Sequence, residues 1–208
     1  MTQIAKTEPL PEPPRQMTFE EFLAWADEDT HAEWVDGEII FMSPSEDIHQ
    51  ILLKWLIKAL DEYVTAHDLG LLLPAPFLMR LASRPSGREP DVLFVAKENL
   101  GRNKRTYLDG PADLVIEIVC PDSQTRDRVD KLREYQQAGV REYWLIDPRS
   151  QQAEFYQLGT DGSYRSIPIR EDGIYHSAVL EGLWLKVSWL WEEPLPPLLS
   201  VLKEWGLI

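Results

Sequence analysis

The stretch that decides the fold begins with DLVIEIVC, residues 113–120, continues through a helical segment from Thr125 to Ala138, and ends with EYWLI, residues 142–146. Both apolar runs are short and rich in β-branched or aromatic residues, which favours strands. Gly139 is suited to end the helix, because glycine adopts the left-handed conformation that is common at helix C-termini. A strand, a helix and a second strand in this order predict a crossover unit with two parallel strands.

Upstream of this unit, the sequence predicts another buried strand and a long helix. The strand runs from Val92 to Val95, follows Pro90-Asp91, and is separated from the crossover unit by a polar, basic loop from Lys97 to Gly110. The helix lies between Ser45 and Gly70, because apolar residues recur there at steps of three and four. The residues predicted for its buried face are Ile48, Ile51, Leu52, Trp55, Leu56, Ala59 and Tyr63.

Turn and cap residues predict the remaining elements. Asp36-Gly37 favours the positive φ angles of a two-residue turn, so residues 31–42 are expected to form a β-hairpin. Thr18 is expected to cap a short helix from Phe19 to Ala26, and the segment from Arg84 to Glu89 is interpreted as a turn. Further short strands are expected at residues 71–73, 77–81, 154–158, 164–169 and 185–187, and a terminal helix at 195–205.

Together these elements predict an α/β fold with a mixed central sheet flanked by helices and with added β-hairpins. We expect a flexible, proline-rich leader over residues 1–16, one domain over residues 17–192, and a helical extension over residues 193–208. The leader lacks the apolar core of a signal peptide, and no apolar run reaches the roughly 18 residues of a membrane span. We therefore expect a cytoplasmic protein that does not enter a membrane.

Composition excludes several classes of function. The chain has 208 residues, a formal net charge of −14 and a single cysteine, Cys120, which excludes an internal disulfide and cysteine-based zinc sites. The charge argues against coating nucleic acid by electrostatics alone, although basic residues concentrate in the middle third, for example over residues 97–105. Glycine-rich nucleotide loops and the GxSxG and HExxH motifs are absent from the sequence.

Glu117 is the most informative residue, because it interrupts an apolar strand. Burying an unpaired ionised carboxylate costs several kcal/mol, so Glu117 must be protonated, paired with a cation or bound to a metal. Neighbouring strands would bring Asp91 close to Glu117, and two carboxylates suit Mg²⁺, which completes its shell with water and substrate phosphate. Lys131, on the following helix, can point back toward the sheet, although a solvated lysine is the commoner outcome of its spacing.

The motifs in combination are similar to those of one nuclease superfamily. Pro90-Asp91, Asp113 to Val119, Asp127 to Tyr135 and Ala138 to Pro148 resemble the PD-(D/E)XK nuclease superfamily and, more narrowly, its Uma-type branch of restriction-endonuclease-like proteins. The resemblance extends upstream through Trp34 to Glu38 and Pro44 to His49. It covers most of the chain from residue 18 to about residue 190 and implies a restriction-endonuclease-like core.

The resemblance implies a set of site residues. Asp91 and Glu117 take the roles of ligands for Mg²⁺ or Mn²⁺, and Lys131 takes the role of the lysine that assists attack of water on a phosphodiester. This lysine usually stands two residues after the glutamate, where this chain has Val119. Glu38 and His49 also match positions near the site, so both are candidates for a catalytic role. The alternative for Glu38 is a solvated residue after the hairpin turn, and the alternative for His49 is a partly buried structural histidine. Cys120 stands where the branch usually has serine and is expected to pack, because the sequence identifies no partner base for it.

The sequence therefore favours a metal-dependent endonuclease that hydrolyses double-stranded DNA, with a homodimer expected because a duplex has two strands to cut. The main alternative is a non-catalytic binding or regulatory module on the same fold, in which Lys131 neutralises Glu117 as a structural pair. A glycoside hydrolase built on two carboxylates is a third, weaker alternative. Trp184, Trp189, Trp191 and Trp205 are expected in the core or at a dimer contact.

Overall fold

The computed structural model describes residues 16–27, 30–120 and 126–208, without the side chains of residues 126–128. The predicted leader lies outside these ranges except for Gln16. The helices are α1 (Phe19–Trp25), α2 (Asp47–Ala66), α3 (Leu132–Ala138) and α4 (Leu198–Glu204). The strands are β1 (Ala32–Val35), β2 (Glu38–Phe41), β3 (Gly70–Pro74), β4 (Leu78–Leu81), β5 (Ser86–Arg88), β6 (Val92–Ala96), β7 (Tyr107–Asp109), β8 (Leu114–Ile118), β9 (Glu142–Asp147), β10 (Gln152–Leu158), β11 (Tyr164–Ser166), β12 (Ile174–His176) and β13 (Trp184–Lys186).

The central sheet has six strands in the order β11-β10-β9-β8-β6-β3. Strands β8 and β9 are parallel, and the other neighbours are antiparallel, so the prediction of a mixed sheet is confirmed. Successive side chains of β8 enter different apolar clusters on the two faces. Leu114 and Ile116 pack with α2, while Val115 packs with Tyr135 of α3, as the period-two alternation of a strand requires.

The crossover between β8 and β9 is confirmed, but its helix does not start as predicted. Residues Arg126–Lys131 form a π-helical turn, and the α-helix begins only at Leu132. Thr125, the predicted start, lies outside the described residues. Gly139 ends the helix with a φ of 88°, in the left-handed conformation that the sequence suggested. Short π-helical turns are rare and often occur at functional sites.

A second sheet, with the order β2-β1-β5-β4-β7, contains the predicted hairpin. Asp36 and Gly37 both have positive φ angles, 51° and 90°, as a two-residue turn requires. The segment from Arg84 to Glu89, interpreted as a turn, instead contains β5, which is buried between β1 and β4. The basic loop from Lys97 to Gly110 likewise contains a 3₁₀ helix and β7. Polar sequence concealed these elements, because their backbones pair with neighbouring strands that are distant along the chain.

Helix α2 packs its apolar face against the central sheet and against α4. Ile51, predicted for the buried face, is 52% exposed, because the contact face is centred on Leu52, Leu56 and Tyr63. Trp205 follows α4 and packs edge-on against Tyr63 of α2, so the C-terminal segment shares this core. Within the described ranges, no helix has the length and apolarity needed to cross a bilayer.

Glu142, at the start of β9, connects the central sheet to the hairpin formed by β12 and β13 through hydrogen bonds. Its carboxylate is fully buried and accepts hydrogen bonds from five donors. These are Trp144 Nε1 at 2.6 Å, Tyr175 OH at 2.8 Å, Ser177 Oγ at 3.0 Å, and the backbone N–H groups of Ala178 at 2.7 Å and Val179 at 3.0 Å. Burial raises the pKa of Glu142, and the donors oppose that shift.

We expect Glu142→Gln to lower the free energy of unfolding by about 2–3 kcal/mol. One carboxylate oxygen that now accepts hydrogen bonds would be replaced by an amide NH₂ group, which is itself a donor and would face the same donors. Denaturant unfolding measures the loss. Glu171→Gln makes the same chemical change at an exposed position and should leave stability within about 0.5 kcal/mol. Equal midpoints for the two variants would contradict a structural role for Glu142.

Candidate active site

The site lies at one end of β6 and β8, where the two carboxylates predicted from sequence come together. The strands are antiparallel with Val92 opposite Ile116, so the next pair outward is Asp91 and Glu117. The backbone N–H of Ile118 donates to Asp91 Oδ2 over 2.7 Å, which fixes one carboxylate against the other strand. Both acids line a cavity of about 500 Å³. The expectation that neighbouring strands bring them together is confirmed.

Lys131 lines the same cavity. Its side chain is almost completely buried, and its Nζ lies 2.8 Å from Glu117 Oε1 and 3.1 Å from Glu33 Oε1. Tyr135 OH donates to the same Glu117 oxygen over 2.7 Å. Burial, followed by the charge of Glu117, raises the pKa of Tyr135, so its hydroxyl remains a donor. Lys131 therefore points toward the sheet rather than into solvent.

Sequence reasoning missed a buried network of charged residues behind Lys131. Arg88, on β5, donates from Nη1 to Glu33 Oε2 over 2.8 Å, and from Nε and Nη2 to Glu134 Oε2 over 3.0 and 2.5 Å. Ser86 also donates to Glu134. Burial disfavours the charged form of Glu33, but the charges and hydrogen bonds of Lys131 and Arg88 outweigh that effect and lower its pKa to about 2. The network joins β1, β5 and α3 to the lysine.

One signal for this network was present in the sequence. Glu33 stands between Ala32 and Trp34 in the first strand of the hairpin, much as Glu117 interrupts β8. A carboxylate inside an apolar strand requires a partner in either case. Its partner Arg88 could not be found this way, because it belongs to a segment without apolar residues that was interpreted as a turn.

His49, on the first turn of α2, contacts the site through both ring nitrogens. Its Nε2 lies 3.0 Å from Asp91 Oδ1, and its Nδ1 lies 3.1 Å from Cys120 Sγ. Burial disfavours the charged imidazole, but Asp91 and Cys120 outweigh that effect and raise the pKa of His49 to about 10. The sequence identified no base beside Cys120, whereas the structure places His49 in contact with its thiol. The contact between His49 and Cys120 could not be predicted from the sequence, because the two residues are 71 positions apart.

Glu38 does not join this group. It is exposed at the start of β2, opposite Val35, and it does not line the cavity. The glutamate that the structure adds to the cavity wall is Glu89, which lies 3.6 Å from His31. Burial raises the pKa of Glu89 to about 7, although His31 opposes the shift.

The basic segment over residues 97–105 lies at the other end of β6. Asp91 immediately precedes this strand, whereas Lys97 follows its last residue. The six residue steps from Asp91 to Lys97, at about 3.3 Å each, separate the two residues by roughly 20 Å. Lys97 pairs with Asp68, and Arg102 donates to the Pro111 carbonyl over 2.7 Å. This segment does not line the cavity.

The carboxylates fit a divalent cation that needs few protein ligands. Among the described residues, no group of three or more His, Cys, Asp or Glu side chains is arranged to hold an ion. Mg²⁺ nevertheless commonly uses one or two carboxylates and completes its octahedral shell with water and substrate oxygens. Asp91 and Glu117 provide two such ligands beside an open cavity. A cation there would share Asp91 with His49 and Glu117 with Lys131.

The sequence matches one known family. The sequence profile of the Uma2 family, described as "Putative restriction endonuclease", matches residues 19–188 and so includes every residue of the site. The chain belongs to the Uma2 family. The resemblance inferred from sequence is thereby confirmed, and nuclease-like function is the coarse assignment that membership supports.

A solved structure confirms the fold. The chain is similar to a crystal structure from Anabaena variabilis ATCC 29413, described as "a putative nuclease belonging to DUF820", with a TM-score of 0.69 and 17% identity. The similarity covers 84% of this chain and 97% of the other. It supports the predicted restriction-endonuclease-like fold. No curated protein matches the chain.

We expect Arg88→Met to destabilise the protein by about 3–5 kcal/mol, because it leaves Glu33 and Glu134 buried without their shared cation. Arg84→Met is the matched control, since Arg84 is 42% exposed where it pairs with Asp36, and it should cost no more than about 1 kcal/mol. Urea unfolding of both variants measures the difference. A small loss for Arg88→Met would show that the buried network does not depend on its arginine.

Proposed function

We propose that the protein is a Mg²⁺- or Mn²⁺-dependent endonuclease that hydrolyses DNA phosphodiester bonds. The observation that carries this proposal is the convergence of Asp91, Glu117 and Lys131 on one cavity, from two neighbouring strands and the turn that precedes α3. Membership of a family described as restriction endonucleases supports the substrate class. An acidic pair beside a buried lysine is the group of residues that the PD-(D/E)XK resemblance requires.

Asp91 and Glu117 would hold the cation, which when bound supplies a water of lowered pKa and neutralises charge on the phosphate. The chain itself supplies orientation. Ile118 N–H fixes the Asp91 carboxylate, and Tyr135 OH fixes that of Glu117. Lys131 places a positive charge beside the cavity, where it can stabilise negative charge that develops on a phosphate oxygen.

His49 provides a second positive group at the wall of the cavity. It contacts Asp91 and lines the same space, so it can hold a proton beside a phosphate oxygen or a leaving group. Glu38 has no supporting contact for a catalytic role and serves instead as a control position. A homodimer remains part of the proposal, because paired sites would address both strands of a duplex.

A second candidate function is favoured by one specific contact. Lys131 Nζ lies 2.8 Å from Glu117 Oε1, which is the structural ion pair expected of a non-catalytic module on this fold. A buried pair of this kind satisfies the glutamate without any metal. Under this alternative the cavity would bind a ligand or partner without cleaving it.

Plasmid nicking in Mn²⁺ tests the nuclease. We expect wild-type protein to convert supercoiled plasmid to the open circle, and Asp91→Asn and Glu117→Gln each to reduce the rate at least about 100-fold, because each removes a charged ligand. Lys131→Met should lose about 10²–10³-fold through loss of its charge at the transition state.

Glu38→Gln is the matched control for this assay, because it makes a glutamate-to-glutamine change at an exposed position away from the cavity. It should nick at the wild-type rate. Wild-type activity in both Asp91→Asn and Glu117→Gln would remove the two acids from the mechanism.

Calorimetric titration with Mg²⁺ and Mn²⁺ separates the two candidate functions. A nuclease site should bind Mn²⁺ with heat that disappears in Asp91→Asn, since the carboxylate contributes a ligand and a charge. A glutamate satisfied by lysine alone should give no specific heat with either ion, and that result would favour the non-catalytic module.

A further inference from the structure

Lys131 is shared by two carboxylates that differ in their surroundings. Its Nζ lies 2.8 Å from Glu117 Oε1, which lines the cavity, and 3.1 Å from Glu33 Oε1, which does not. The Lys131 ammonium can therefore pair with either carboxylate oxygen without moving to a different position. Neither the sequence motifs nor the proposed chemistry assigns any role to Glu33.

Glu33 is held in place both by the pairing of its strand and by hydrogen bonds to its side chain. It lies in the middle of β1, which pairs with β2 on one side and with β5 on the other, and its side chain is fully buried. Its Oε2 accepts from Arg88 Nη1 over 2.8 Å, and its Oε1 accepts from the backbone N–H of Glu89 over 3.3 Å. Arg88 is fixed in turn by Glu134. These contacts hold the Glu33 carboxylate in place beside Lys131.

A divalent cation on Glu117 and the ammonium of Lys131 would compete for the same carboxylate. Like charges a few ångströms apart repel strongly where water is excluded. An ammonium that lost Glu117 and had no other partner would be buried and uncompensated, which carries a large penalty. The carboxylate of Glu33, already 3.1 Å away, removes that penalty because Lys131 stays paired when Glu117 turns to the cation.

We propose that Glu33 is a positioning residue for the metal site: it holds the Lys131 ammonium so that Glu117 can accept a divalent cation while the lysine remains paired. This inference rests on the proposed metal-dependent function and deepens it. It makes the affinity for the cation, rather than only the rate of cleavage, depend on a residue that does not contact the ion.

The test is a double-mutant cycle in which Mn²⁺ binding to the full chain is measured by calorimetry. Glu33→Gln should weaken Mn²⁺ binding at least about tenfold. Of the two carboxylates Glu33 and Glu117, Glu117 alone would then carry a charge that neutralises Lys131, so it would be less available to the cation. Lys131→Met removes the competing cation and should bind Mn²⁺ at least as tightly as wild type. The double variant Glu33→Gln/Lys131→Met should match Lys131→Met, since Glu33 acts only through the lysine.

Three results would decide against the proposal. Wild-type Mn²⁺ affinity in Glu33→Gln would overturn the role of Glu33 and leave the nuclease proposal standing. A double variant as weak as Glu33→Gln would show that Glu33 acts through general structure and not through Lys131. No Mn²⁺ binding by wild-type protein would overturn the metal-dependent function, and this inference with it.

Two further variants control for folding. Glu142→Gln alters another buried glutamate, is expected to destabilise the protein, and should retain wild-type Mn²⁺ affinity because it lies outside the cavity. If Glu33→Gln does not fold, Glu33→Asp keeps the charge and withdraws it by one methylene. Glu33→Asp should then bind Mn²⁺ more weakly than wild type by a few-fold, and unchanged affinity in it would overturn the proposal.

Discussion

The structure around the site depends on one buried lysine. The ammonium of Lys131 contacts Glu117 on the central sheet and Glu33 on the second sheet, and it is almost completely removed from water. Isolated, each of the three charges would be very costly to bury, so the sheets and α3 can pack together here only if they meet in this arrangement. Arg88 extends the same logic to Glu134 and thereby to the next turn of α3.

This arrangement links stability to chemistry. The charged network that joins β1, β5 and α3 also reaches the cavity, because Lys131 and Glu117 belong to the network and line the cavity as well. Asp91 is held separately, by hydrogen bonds with Ile118 N–H and with His49. A cation bound between Asp91 and Glu117 would compete with Lys131 for the Glu117 carboxylate. Glu33 is the second carboxylate beside Lys131, so it is relevant to a site that it does not line.

Local patterns in the sequence predicted the elements whose chemistry is local. The capping box at Thr18, the turn at Asp36-Gly37 and the helix end at Gly139 are all present, because each depends on residues adjacent in the chain. Patterns failed where distant partners decided the outcome. Strand β5, with the sequence Ser-Gly-Arg, has no apolar residue and is buried only because β1, β4 and Glu134 satisfy its polar groups.

The sequence by itself determined the mixed sheet, the crossover and the proximity of Asp91 to Glu117, because short, nearly continuous apolar runs such as those of β6 and β8 are typical of buried strands. It also predicted that Glu117 needs a partner, since a carboxylate cannot be buried alone. Only the tertiary structure decided which partner it has, that Glu33 shares it, that His49 lies between Asp91 and Cys120, and that Glu38 and the basic segment after β6 lie elsewhere. These outcomes depend on side chains that are many positions apart in the chain and meet only when both sheets and the helices are packed, and no local period or motif encodes that meeting.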